Sequence, residues 1–136
     1  MKPTRKRLIK EPSKNYLRNK ADRLLQEYIK SKYPNCLVCY KPTNCGHHFF
    51  TKKSSNALRY YLPNIIPLCL SCHCKVHTQP HLVNPAICYF KGEKWYKDLV
   101  EVKSRGIKEN LDWYKTNIQE LEAKLKKLKE EKNDTL

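Results

Sequence analysis

Two Cys-x-x-Cys pairs, Cys36/Cys39 and Cys69/Cys72, constrain this chain more than any other feature. A two-residue gap lets both thiolates of a turn face one tetrahedral ion, and two such pairs complete a closed zinc site. A structural Zn²⁺ held by these four cysteines would tie together the ends of the 36–72 segment. That constraint matters because a hydrophilic chain of 136 residues buries only a modest core. The 29 residues between the pairs exceed an ordinary zinc ribbon, so something is inserted there. Cys45 and Cys74 are possible substitute ligands. Cys69-Leu-Ser-Cys72-His73 also spells a haem-attachment pattern, but that reading requires export and leaves the other pair unexplained.

The insertion and its edges hold four of the five histidines: His47-His48, then His73 and His77, with Asn64 between them. His73 and His77 are four apart, so on a helix both rings point at a common spot. A third nitrogen from His47 would complete three ligands and leave an open position, which a catalytic metal requires. Neighbours on an extended strand point to opposite faces, so His48 is left for another task, that of general base. Asn64 can hydrogen-bond the ribbon backbone, or His48 itself, and so hold the imidazole in one orientation. Residues 34–90 carry five Lys/Arg and no acid, so a metal there must be held by nitrogen and sulfur.

Charge and cysteine usage narrow the setting. The net charge of +15 suits a polyanionic partner. Seven cysteines, an odd number, fit a reduced metal-binding chain better than a disulfide scaffold. No apolar stretch follows the basic start, and nothing approaches the roughly 18 apolar residues of a membrane span. The expected location is cytoplasmic, with no membrane partner.

The pattern predicts a small α+β fold in three stretches. Residues 1–33 read as a basic arm (1–12) and a helix from Ser13 to about Ser31, with Tyr16 or Leu17, Ala21, Leu24, Leu25, Tyr28 and Ile29 on one face. Residues 34–90 hold the metal chemistry. Within them, Cys39–Leu62 reads as a short hairpin or ribbon, 63–67 as extended, and a short helix runs from near Ser71 to about Thr78. Pro80 and Pro85 mark a loop. Residues 91–136 read as C-terminal helices, the first over 91–104 and broken by Gly106. In the second, Ile107, Leu111, Tyr114, Ile118, Leu121, Leu125 and Leu128 form a heptad seam. The seam fits either packing on its own domain or a homodimeric coiled coil through 107–128. Residues 130–136 are expected to fray.

Read in order, Cys36…Cys39, Gly46-His47-His48 and Asn64-Ile-Ile-Pro67-Leu-Cys69-Leu-Ser-Cys72-His73-Cys-Lys-Val-His77 resemble the HNH (His-Me finger, ββα-metal) endonucleases. The resemblance covers roughly residues 36–77. It implies a ββα-metal finger with a four-cysteine zinc knuckle, flanked by the N-terminal and C-terminal helices. By position, His48 would be the general base and Asn64 the orienting residue. His47, His73 and His77 would hold a catalytic divalent metal (Mg²⁺, Mn²⁺, Ni²⁺ or Zn²⁺), and Cys36, Cys39, Cys69 and Cys72 the structural zinc. Many relatives have Asp at the position of His47 and some have Asn at that of His73. A looser likeness, through the glycine–histidine turn, Ala57-Leu-Arg59-Tyr60 and Asn64, is to phage recombination nucleases of the NinG/Rap type.

The expected activity is metal-dependent hydrolysis of DNA phosphodiester bonds to 5′-phosphate and 3′-hydroxyl ends. Arg59, Lys52, Lys53 and Lys75 are the candidate phosphate-gripping cations. One finger cuts one strand at a time, so a double-strand or branched-DNA cut would need two copies. Two other readings stay open: a non-catalytic zinc module that only binds nucleic acid, and an assembly protein built on the heptad seam.

Overall fold

A computed structural model describes residues 11–134. The arm expected at 1–12 lies outside the described residues up to Lys10. The described chain is a small α+β fold of five helices and one two-stranded antiparallel sheet.

Helix α1 spans Lys14–Lys32 and starts where the sequence placed it, with the Ser13 hydroxyl accepting from the Tyr16 amide. It buries Leu17, Ala21, Leu24, Leu25, Tyr28 and Ile29, while Tyr16 stays exposed. Its partner is α5, Leu111–Asp134. Asn110 caps α5 through the Trp113 amide, and Tyr114, Ile118, Leu121, Leu125 and Leu128 interleave with the α1 stripe. The heptad seam is therefore packed on α1 within the chain. Ile107, the first residue of that seam, precedes the helix and is exposed. Instead of fraying from 130, α5 continues to Asp134, because 111–134 contains strong helix formers with no glycine or proline.

Strand β1 (Cys45–His48) pairs with β2 (Ile65–Leu68), with His47 opposite Ile66 and His48 opposite Ile65. The ribbon expected inside Cys39–Leu62 thus takes its second strand from beyond it. Leu58-Arg-Tyr-Tyr forms turns, and Leu62–Asn64 is a single 3-10 turn. The sheet divides two cores. Ile65 faces the α1–α5 core, while Ile66 and Leu68 face a second core with Cys36, Cys69, Cys72, Val76, Val83 and Ile87. Burial on both sides explains why β2 shows no polar alternation.

Helix α2 (Leu70–Thr78) follows directly, with the Cys69 sulfur accepting from the Cys72 amide at its start. The loop expected at Pro80 and Pro85 is instead helix α3, Pro80–Lys91. Pro80 sits in the first turn, where no amide donor is needed. Pro85 removes one interior bond, which the burial of Val83 and Ile87 offsets. Helix α4 (Glu93–Lys103) closes over the 3-10 turn, where Trp95 Nε1 donates to the Pro63 carbonyl at 2.7 Å. No helix among the described residues is long and apolar enough to cross a membrane.

Candidate metal centres

The four sulfurs of Cys36, Cys39, Cys69 and Cys72 lie within 4.8 Å of one another. Adjacent ligands on a tetrahedral zinc with bonds near 2.3 Å are about 3.8 Å apart, so this group fits one such ion. Three of the cysteines are buried and Cys39 is exposed. The turn carrying Cys36 and Cys39 is held to β2 by the Leu37 amide, which donates to Pro67 O at 2.9 Å. Burial pushes the Cys69 thiol up, but the Cys72 amide and the neighbouring cysteines outweigh it and bring it to about 7. The Cys72 thiol is raised by burial and by the sulfurs around it. Four thiols crowded without a counter-charge resist ionising together, and a dication removes that conflict. The chemistry of this set suggests a structural zinc.

A second set of possible ligands forms one helical turn further on. Ring nitrogens of His47, His73 and His77 all lie within 4.8 Å of one another. The Nε2 atoms of His73 and His77 are 3.1 Å apart, near the roughly 3.3 Å expected between two imidazole ligands of one tetrahedral ion. His47 arrives from β1, its ring centre 5.4 Å from that of His73 and 5.7 Å from that of His77. It is 9% exposed, and burial followed by its histidine neighbours lowers it to about 4. His73 is lowered by burial and by His77. His47 and His73 can therefore offer lone pairs at neutral pH, and with His77 the three nitrogens leave a tetrahedron with one position open.

His48, the next residue on β1, faces the other side of the sheet. Its Nε2–H donates to the Arg59 carbonyl at 2.9 Å. A carbonyl only accepts, so this bond fixes the tautomer and leaves Nδ1 with its lone pair. Burial lowers the His48 pKa, with the Arg59 carbonyl opposing and the Lys52 ammonium adding to the fall. His47, His48, His73 and His77 line one open cleft of about 620 Å³, with Lys52 and Lys53 on its rim.

Other expected site residues are placed differently. Asn64 is 0% exposed, and its side-chain hydrogen bonds go to the backbone and not to His48. Its Nδ2 donates to Phe50 O at 3.0 Å and Leu58 O at 3.2 Å, and its Oδ1 accepts from the Phe50 amide at 2.9 Å. It staples both ends of the 50–58 loop, the backbone option among those its sequence position offered. Arg59 is not a free phosphate contact: its Nε and Nη2 donate to Asp22 at 3.1 and 2.6 Å, with the side chain 11% exposed. Lys52 also meets Asp22, at 3.8 Å, while Lys53 has no ion pair among the described residues. Lys75 is exposed on α2 and does not line the cleft.

Asp22 and Gln26 were missed by sequence reasoning. Gln26 lines the cleft and exchanges two hydrogen bonds with the Gly46 backbone, at 2.9 and 2.7 Å. Their four-residue spacing on the polar edge of α1 was a signal, but nothing local tells such a pair from an ordinary solvated face. Comparison of the chain with protein-family models, with curated proteins and with solved structures found no match in any of the three.

Proposed function

We propose that this protein is a metal-dependent endonuclease that hydrolyses DNA phosphodiester bonds, and that β1, β2 and α2 act as a ββα-metal finger. One observation carries the reading. Three imidazole nitrogens converge on a point, while a fourth imidazole in the same cleft is held with Nδ1 unprotonated and uncommitted. The strand–strand–helix order and the resemblance of residues 36–77 to HNH endonucleases support it further.

A divalent cation on His47, His73 and His77 would supply charge neutralisation at a phosphate oxygen and at the leaving O3′. His48 Nδ1 takes a proton from a water, and the water oxygen attacks phosphorus as the P–O3′ bond breaks. O3′ leaves with a proton from solvent, giving 5′-phosphate and 3′-hydroxyl ends. His48, lowered by burial, is neutral at pH 7 and ready to accept that proton. An all-imidazole ligand set favours Ni²⁺ or Zn²⁺ over the harder Mg²⁺ and Mn²⁺.

The test is nicking of supercoiled plasmid by wild type and His48→Ala with each of the four metals. Loss of a general base lowers the rate about 10²–10⁴-fold. Equal rates for the two proteins would remove His48 from the mechanism. Salt-sensitive DNA binding without cleavage by either protein would leave a non-catalytic zinc module.

A further inference from the structure

We propose that Asp22 and Gln26 of α1 are positioning residues for the histidine site, each fixing the backbone that aims one of the two adjacent strand histidines. The idea rests on the reading above only for its effect on turnover. The two side chains are four apart and so project from one face of α1, toward the sheet.

Gln26 acts on β1. Its Nε2–H donates to Gly46 O, and the Gly46 amide donates to its Oε1, at 2.9 and 2.7 Å. In an antiparallel pair, a residue's N–H and C=O point to the same side. Both groups of Gly46 thus face away from β2, which is why Pro67 can stand opposite without a missing bond. Gln26 completes the free edge as a third strand would. The approach is close enough that a Cβ at Gly46 would lie 2.6 Å from Ile65 Cγ2 and 3.2 Å from Ile29. His47 is the next residue along, so the bond to Gly46 sets how far its ring reaches toward α2.

Asp22 acts on the 59–60 segment. It accepts from Arg59 Nε and Nη2 and from the Tyr60 hydroxyl at 3.1, 2.6 and 2.9 Å. Arg59 O is the acceptor that holds His48 Nε2–H. A carboxylate on α1 thereby fixes the carbonyl that chooses the tautomer of His48. The turns around Arg59 are also held by Asn64 at Leu58 O and by the Asn56 side chain at Glu109, but neither bond reaches Arg59 or its carbonyl.

The experiment uses the full chain with zinc in its cysteine site and compares wild type, Gln26→Ala and Asp22→Asn. Two readouts need no activity: Co²⁺ affinity of the histidine site by its visible absorption, and the His48 ring tautomer by ¹⁵N shifts. Gln26→Ala is expected to weaken Co²⁺ by about tenfold, as loss of an orienting partner does, with His48 still protonated on Nε2. Asp22→Asn is expected to mix the two tautomers and leave Co²⁺ affinity within about twofold. Arg59→Lys, which loses the two-pronged contact, should repeat the tautomer change. A mere stabilising role predicts instead that both readouts fall together with melting temperature in both variants, and that pattern overturns the proposal. An arm whose own readout stays at the wild-type value is refuted by itself. If wild type cleaves DNA, Asp22→Asn lowers kcat and leaves KM unchanged. If wild type cleaves nothing, the nuclease reading falls while the cobalt and ¹⁵N results still decide this one.

Discussion

The two candidate metal centres share one short helix and differ in how they end. The cysteine set offers four ligands, three of them buried, and fills a tetrahedron. The histidine set offers three, ranging from buried His47 to exposed His77, and opens on a cleft. Similar spacing of ligand atoms thus supports opposite uses: four ligands leave a tetrahedral ion no position for water, and three leave it one. Their order along the chain adds a dependence. Cys69 and Cys72 begin α2, and His73 and His77 follow within it, so the sulfur centre holds the element that carries two nitrogen ligands. Failure should pass from sulfur to nitrogen and not back.

Cys72→Ser tests that direction and has the largest expected effect. It removes a ligand from a buried position in the second core. Zinc content should fall from one per chain toward zero, and stability by more than about 3 kcal/mol, since binding energy at such sites is folding energy. Co²⁺ binding at the histidines should be lost with it. A variant that loses zinc yet binds Co²⁺ at the histidines with wild-type affinity would break the dependence. His73→Ala is the converse. It should retain one zinc and a melting temperature within a few degrees of wild type, while cleavage falls more than about 100-fold. Metal analysis and plasmid nicking on one preparation measure both.

The contrast also marks what the sequence could reveal. Both ligand sets were legible because ligand chemistry is tied to short spacings, such as Cys69 to Cys72 and His73 to His77. Helix α1 was legible from the Ser13 cap and its apolar stripe. The partner of β1 was not, because both Leu58-Arg-Tyr-Tyr and Ile65–Leu68 favour strands. What decided between them was burial of β2 by two separate cores. Arg59 looked like a free cation because its carboxylate, Asp22, lies 37 residues away. The seam of α5 has the same period whether a second copy or α1 covers it, so spacing alone left that choice open. Pro80 misled because a helix's first turn has donors to spare, and Pro85 because the one interior bond it removes is offset by the burial of Val83 and Ile87.

A pH series sharpens the comparison without a mutation. With the cysteine site loaded and the histidine site metal-free, His47 is depressed to about 4 from an ordinary 6.5. Between these values the unfolded chain binds the extra proton and the folded chain does not, so stability falls as pH drops through that window. The loss is on the order of 2–3 kcal/mol by pH 4, and thermal unfolding from pH 7 to 4 measures it. His47→Leu should flatten the part of the slope that this ring contributes. An unchanged slope would mean that His47 titrates as an exposed imidazole, and the two centres would then differ less in their surroundings than their geometry implies.

The smallest effect concerns what lies around each centre. Lys41 stands beside the sulfur turn, its carbonyl accepting from the Cys36 amide at 2.7 Å, and Lys53 stands on the rim of the histidine cleft. On the proposed function, a nucleic acid backbone lies along the cleft and not over the sulfur turn. Each lysine that meets a phosphate adds about 0.9 to the slope of log affinity against log salt. Lys53→Ala should therefore reduce that slope by about 0.9, whereas Lys41→Ala should leave it unchanged. Lys52→Ala should fall between them, because its ammonium is already shared with Asp22 at 3.8 Å. Fluorescence anisotropy of a labelled duplex at several salt concentrations gives all three slopes. An equal loss for Lys41 and Lys53 would mean that the polyanion spans both centres, so that ligand count would separate them and access would not.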